Sequence, residues 1–267
     1  MKSFINDACR KHPFISSLVF VILFVSAIIV PLDSIICIVS DVQTNGYLIG
    51  TIQQTLVGVL VFALWKNLDI DFNIGINSSR KQLWLYWPLI LISILDFLEV
   101  LSGERILDWE HPQKIVLYVL VYMSTGLIEE VLCRGLILSI LLSAWKDKKG
   151  GIYGAVVISS LLFGIPHIVN YWSGKVSFTA MIATILYAAM IGVYFAACVI
   201  RTDDLLFAIL VHGFVDITGS TKEIEKGFQL LNSFYDVSID KAVMQVLLMT
   251  PLLVAGLWLL RKRKVKL

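Results

Sequence analysis

Long apolar runs recur along the chain and are separated by short polar segments. They cover residues 14–31, 47–65, 83–101, 115–145, 151–167, 177–200, 205–219 and 242–260. Because a helix needs about 20 predominantly apolar residues to cross the hydrocarbon core of a bilayer, each run predicts a membrane-spanning helix. The pattern therefore predicts an all-α, polytopic integral membrane protein with about eight transmembrane helices.

The composition supports this fold class. Of the 267 residues, 58% are hydrophobic and only 16% are charged, whereas soluble domains carry about 25% charged residues. The formal net charge of +2 is too small to favour binding to nucleic acid. We therefore expect a multi-pass protein of the cell membrane that is surrounded by the lipid bilayer. We expect no nucleic-acid partner.

The distribution of Lys and Arg predicts the orientation, since positively charged loops are retained in the cytoplasm. With the N-terminus inside, fifteen of the 22 basic residues fall in cytoplasmic segments and six in external ones. The bias includes the basic run from Arg261 to Lys264. Both termini are therefore predicted to be cytoplasmic.

Ionisable residues inside spans are energetically costly and usually have a function. Three such patterns lie on separate predicted helices. They are Glu129-Glu130-x-x-x-Arg134 in the fourth run, Phe163-x-x-x-His167 at the end of the fifth, and His212-x-x-x-Asp216 in the seventh. Together they make these seven residues the candidates for the functional site.

Helical spacing distinguishes the two glutamates. Glu130 and Arg134 are four residues apart and share a helix face, so we expect a structural ion pair. Glu129 lies about 140° around the helix from Arg134 and has no local cation. It is therefore predicted to face the histidines as the general base.

Spacing also places the groups on the later helices. His212 and Asp216 are predicted to share one face of their helix. Pro166 cannot donate to the helical ladder, which predicts a kink or helix end beside His167. Counted at about 1.5 Å per residue from the cytoplasmic ends, Glu129 and His167 both lie about 26 Å deep, whereas His212 lies only about 12 Å deep.

With these three motifs in order, the sequence resembles the CPBP intramembrane proteases. That family includes the type II CAAX prenyl endopeptidases and the bacterial Abi, bacteriocin-processing and bacteriocin-immunity proteins. The resemblance implies a catalytic core at 115–219, preceded by about three spans at 1–114 and followed by the last helix and a basic tail at 220–267. It also implies an aqueous cavity in which a peptide bond is hydrolysed.

The resemblance assigns roles to the candidate residues. Glu129 and His167 would activate water, and His212 with position 216 would stabilise the oxyanion. Position 216 is Asn in many relatives and Asp here; an ionised Asp cannot donate a hydrogen bond, so Asp216 would be protonated or would orient His212. Glu130 completes the candidate catalytic set, and Arg134 and Phe163 would support it structurally.

Metal use stays open. Two histidines and a glutamate could ligate zinc, and the ligands would then be Glu129, His167 and His212. No His-Glu-x-x-His helix occurs, and pairing with Arg134 removes Glu130 from the ligand set. Metal-free, glutamate-type hydrolysis without a cofactor is therefore favoured, with zinc as the alternative.

Substrate and biological role are less constrained. The closest resemblance is to the bacterial branch, which favours a bacterial plasma membrane and a leader peptide or bacteriocin over a prenylated protein. One alternative is a non-enzymatic immunity or scaffold protein that binds a peptide in the same cavity. Two others are a proton-coupled transporter and a buried ion-pair cluster that only fixes helix packing.

Overall fold

The computed structural model describes residues 2–72, 74–76, 83–228 and 234–261. Within these ranges the chain is helical, and β-pairing is limited to isolated bridges. The helices are α1 (Lys2–Lys11), α2 (Pro13–Ile29), α3 (Val42–Asn67), α4 (Trp87–Asp96), α5 (Leu98–Leu101), α6 (Pro112–Glu130), α7 (Leu138–Trp145), α8 (Gly151–Gly164), α9 (Ile168–Trp172), α10 (Phe178–Thr202), α11 (Leu205–Gly219) and α12 (Ile239–Arg261).

Six helical segments in the described ranges are long and apolar enough to cross a membrane. They are Pro13–Ser34, Val42–Asn67, Pro112–Trp145, Gly151–Trp172, Phe178–Thr202 and Ile239–Arg261. The predicted runs at 83–101 and 205–219 correspond to the shorter apolar helices Leu83–Asp96 and Leu205–Gly219. The all-α, multi-span fold is thus confirmed, with six full-length candidate spans rather than eight.

The orientation of the chain stays a prediction. Several basic residues on which it rests, namely Arg80, Lys81 and those that follow Arg261, lie outside the described residues.

The helix that carries Glu129 and Glu130 changes its winding directly after them. α6 ends at Glu130, and Val131–Ile137 form a π-helical segment that continues into α7. All seven residues of this segment are buried. A π-helical turn is wider than an α-helical one and occurs frequently at functional sites. Arg134 projects from this segment into the protein interior.

α6 and α11 approach each other closely where two glycines meet. A Cβ atom on Gly126 would lie 2.7 Å from the backbone nitrogen of Gly213, and one on Gly213 would lie 3.1 Å from Cα of Met123. Any side chain at either position would therefore push the two helices apart. This contact brings the glutamates of α6 and His212 of α11 to the same place.

The start of α11 packs against the loop that follows α3. Asp204 precedes the helix and is 3% exposed, and its carboxylate accepts hydrogen bonds from the backbone N–H groups of Leu206 and Phe207 at 2.9 and 3.3 Å. The backbone N–H of Leu205 donates to the carbonyl of Gly75 at 3.2 Å. The depth of about 12 Å for His212 stays a prediction.

The end of α8 matches the expectation from Pro166. The helix stops at Gly164, and Ile165–His167 form a 3₁₀ turn that leads into the short helix α9. A Cβ atom on Gly164 would lie 2.7 Å from the carbonyl oxygen of Ile185. α8 therefore packs directly on the backbone of α10, with His167 just beyond the contact.

Candidate active site

Glu130 and Arg134 form an ion pair in the protein interior. Glu130 Oε1 lies 2.8 Å from Arg134 Nη1, and both side chains are fully buried, so the predicted pairing is confirmed. Within the described ranges no nitrogen of this guanidinium makes a hydrogen bond of good angular geometry. Its carbon lies 4.3 Å from the ring centre of Phe163 and 5.6 Å from that of Phe195. Charge and two aromatic faces therefore hold the cation.

Glu130 has a second partner that the spacing on its own helix did not indicate. His212 Nδ1 lies 2.7 Å from the same oxygen, Oε1, that contacts Arg134. Spacing within α6 could not show this contact, because it depends on how α11 packs on α6. A carboxylate accepts hydrogen bonds, so Nδ1 carries the proton and Nε2 points the opposite way.

The opposite side of the imidazole faces two further carboxylates. His212 Nε2 lies 3.3 Å from Glu129 Oε2 and 3.6 Å from Asp216 Oδ2. The shared face of His212 and Asp216 is thereby confirmed, as is the expectation that Glu129 faces a histidine. Glu129 and Asp216 keep 30% and 26% of their side chains exposed. The three groups thus lie close enough together to act on one reacting molecule, as general acid–base catalysis requires.

His167 lies beside the same aromatic ring as His212, that of Phe163. Phe163 lies edge-on to both imidazoles, with ring centres 5.9 Å from His167 and 5.7 Å from His212. Among the described residues no hydrogen bond or ion pair joins His167 to Glu129. The two predicted activators of water are therefore separate groups that only a bound molecule could connect.

Phe195 is a site neighbour that the sequence analysis did not single out. Its ring stacks on His212, with ring centres 5.2 Å apart and planes inclined by 27°. One turn earlier on α10, a Cβ atom on Gly192 would lie 3.2 Å from Arg134 Nη2. An aromatic residue one turn after a glycine is common in apolar helices, so only the folded arrangement reveals the contact.

A zinc ion would require a particular arrangement of ligands at this site. Zinc takes three or four nitrogen, sulfur or oxygen ligands at about 2.0–2.3 Å. In the described part of the chain no three His, Cys, Asp or Glu side chains are arranged to hold a metal ion. The set Glu129, His167 and His212 therefore does not fit a metal ion in this arrangement.

The fold and the cluster together define a membrane protein with a partly open carboxylate–imidazole site. Comparison with protein families gives one match: residues 111–218 match the family model described as type II CAAX prenyl endopeptidase Rce1-like. This part of the chain is thus similar to an Rce1-like domain, in agreement with the resemblance based on the three motifs. The match supports a protease of the intramembrane CAAX type, and it contains every candidate site residue. No curated protein and no solved structure gives a significant match to the chain.

Proposed function

We propose that the protein is an intramembrane endopeptidase that uses Glu129 to hydrolyse a peptide bond in a membrane-associated peptide or protein. The main support is the contact of Glu129 and Asp216 with His212 Nε2. These three groups border a partly exposed space inside an apolar helical bundle. Ionisable groups in such surroundings usually carry function.

In the proposed reaction Glu129 removes a proton from water as the oxygen attacks the scissile carbonyl carbon. We propose that His212 is protonated on both ring nitrogens among the carboxylates of Glu129, Glu130 and Asp216. The π bond of the carbonyl opens, and the negative charge that develops on its oxygen accepts a hydrogen bond from the Nε2–H group of His212. Glu129 then returns the proton to the departing amine as the C–N bond breaks. The products are one carboxylic acid and one amine, and the enzyme is regenerated.

The surrounding residues are proposed to position these groups. Glu130 accepts from His212 Nδ1 and so directs Nε2 towards the substrate, and Arg134 neutralises Glu130. Asp216 fixes the rotation of the imidazole. His167, which lies across Phe163 from His212, is proposed to contact the substrate or the attacking water.

The substrate is proposed to be an extended peptide segment beside the membrane. The matched family is described by its action on prenylated CAAX proteins, which suggests a lipidated C-terminus. The resemblance to the bacterial branch of the family instead favours a leader peptide or bacteriocin, processed for maturation or self-immunity at a bacterial plasma membrane. Both classes present a flexible backbone close to the bilayer.

The function is tested with the full chain reconstituted in liposomes with two peptides, one farnesylated CAAX peptide and one leader peptide. We expect one of them to be cleaved, and Glu129→Gln to lower kcat by a factor of about 10²–10⁴, the usual contribution of a general base. Glu223→Gln, a carboxylate outside the site, is the matched control and should retain activity. Undiminished cleavage by Glu129→Gln would overturn the assignment. Peptide binding by both proteins without cleavage would favour the non-enzymatic immunity protein.

The same assay separates the two hydrolytic mechanisms. Without a metal step, activity should persist after prolonged treatment with a strong chelator, because the proposed proton transfers use only side chains. Loss of activity that added Zn²⁺ restores would establish a metalloprotease instead.

A further inference from the structure

A basic cleft lies far from the candidate active site, where α1 meets α2. Its volume is about 460 Å³, and its lining includes Arg10, Lys11, His12, Phe14, Trp145 and Lys148. The residues come from two distant parts of the chain, the α1–α2 turn and the end of α7 with the following loop. The fold therefore assembles cations that are separate in the sequence.

The cations of the cleft remain available to a ligand. Arg10 and Lys11 pair with Asp69 and Asp7, each at 2.9 Å, but all four side chains are more than half exposed, and ion pairs in water are weak. Within the described ranges the side chains of His12 and Lys148 make no hydrogen bond or ion pair. Asp147, the neighbouring acid in the loop, is exposed. The lining of the cleft includes the three cationic side chains of Arg10, Lys11 and Lys148 and no acidic one, which fits a phosphate group.

The position of the cleft points to a ligand in the membrane. One candidate span begins at Pro13 and another ends at Trp145, so the cleft lies at the boundary between the apolar core and water. Tryptophan favours that boundary. Phe14, Leu18 and Ile22 follow at helical spacing on α2 and are 43%, 37% and 57% exposed. An apolar face suited to acyl chains thus continues directly from the basic cleft.

We propose that this cleft binds the phosphate headgroup of an anionic phospholipid, whose acyl chains lie along the exposed face of α2. Basic pockets between transmembrane helices bind such headgroups through charge. The site is independent of the proposed peptidase activity. It would fix α1 and the α7–α8 loop at the membrane surface.

The test measures lipid binding to the purified full chain by native mass spectrometry. The probes are phosphatidylglycerol, phosphatidylcholine and soluble glycerol 3-phosphate. The variant carries Lys11→Gln with Lys148→Gln. Its matched control carries Lys146→Gln with Lys149→Gln, two lysines of the same loop that do not line the cleft. Melting temperatures of both variants show whether each remains folded.

We expect the dissociation constant for phosphatidylglycerol to rise by about fivefold for each cleft lysine removed, and to change by less than about twofold in the control. Phosphatidylcholine and glycerol 3-phosphate should bind more weakly than phosphatidylglycerol. Equal losses in the two variants would show diffuse charge attraction and overturn the site. Equal binding of phosphatidylcholine, or of glycerol 3-phosphate, would overturn the assignment to an anionic lipid.

Discussion

α6 contacts one carboxylate, Glu223, near its middle and carries two others, Glu129 and Glu130, at its C-terminal end; the two regions differ in how fully the carboxylate oxygens are hydrogen-bonded. In the Glu223 cluster, which lies beside the turn after α11, Glu223 Oε1 accepts from the hydroxyl of Tyr122 at 2.9 Å, and Oε2 accepts from that of Tyr47 at 3.0 Å. Gln43 donates to the Glu223 carbonyl at 2.8 Å. Each carboxylate oxygen thus has a neutral donor from a neighbouring helix.

The cluster at the C-terminal end of α6 is not satisfied in this way. Glu130 Oε2 is buried without a hydrogen-bond partner in the described part of the chain, while Oε1 serves both Arg134 and His212. Among the residues that the structure describes, Glu129 and Asp216 form their ion-pair contacts with the same imidazole nitrogen, His212 Nε2. Buried polar groups are normally paired, and exceptions often mark functional sites. The comparison indicates that the Glu223 cluster joins helices, whereas the Glu129 cluster retains capacity to bind and transfer a proton.

The largest effect expected from this difference is the loss of folding stability caused by substitution of Glu130. Glu130→Gln removes the charge that neutralises the fully buried Arg134, and leaving one partner of a buried pair typically costs about 3–5 kcal/mol. We expect a large fall in the free energy of unfolding, measured by denaturation in detergent. Glu129→Gln, whose side chain is 30% exposed, should unfold close to wild type.

Glu223→Gln provides the control from the satisfied cluster. It retains one acceptor oxygen and leaves no charge unpaired, so we expect a loss of about 1 kcal/mol. Equal stabilities of the Glu130 and Glu223 variants would contradict the distinction between the two clusters.

The next effect concerns the helix contact that brings the site together. In Gly126→Ala the new methyl group would meet the backbone of α11 at Gly213. Overpacking of this kind costs about 1–3 kcal/mol, and a displacement of about 1 Å between Glu129 and His212 can lower kcat by about 100-fold. Thermal unfolding of the variant measures the loss of stability, and peptide cleavage measures the fall in kcat.

Gly154→Ala is the matched control, because its Cβ would only touch the Trp145 ring at 3.8 Å. It should retain both activity and stability. If Gly126→Ala behaved like Gly154→Ala, the glycine contact would not be what aligns the site.

Much of the fold and of the site could be predicted from local sequence. Hydropathy located the helices because spanning segments must be apolar along their whole length. The Glu130–Arg134 and His212–Asp216 pairs followed from four-residue spacing, which is set within one helix. Both depend only on residues that are neighbours along the chain.

The features that could not be predicted depend on how distant segments pack. The 2.7 Å contact between Glu130 and His212 requires the approach of α6 to α11, and the ring of Phe195 reaches His212 from a third helix. Hydropathy likewise does not distinguish the 15-residue helix α11 from a full span. Periodicity on one helix carries no information about these contacts.

The smallest expected effect is on stability at the N-terminal cap of α3, the helix that contributes Gln43 and Tyr47 to the Glu223 cluster. Asp41 precedes Gln43 and caps α3, and its carboxylate accepts a hydrogen bond from the backbone N–H of Thr44 at 2.8 Å. Hydrogen bonds from the hydroxyl and the N–H of Thr44 lower the pKa of Asp41. Replacing an N-cap by Ala costs about 1 kcal/mol, whereas Asn caps as well as Asp does. At neutral pH we therefore expect Asp41→Ala to lose about this amount and Asp41→Asn to lose little.

The lowered pKa also fixes the sign of the pH dependence. The stabilisation by ionised Asp41 is fully present above the unfolded pKa of about 3.9 and is lost as the pH falls through the lower folded value. On acidification below about pH 5, wild type should therefore lose more stability than Asp41→Asn, as measured by thermal unfolding across that range. The same acid-side loss in Asp41→Asn would mean that other carboxylates produce it, and the cap would then contribute through its hydrogen bond alone.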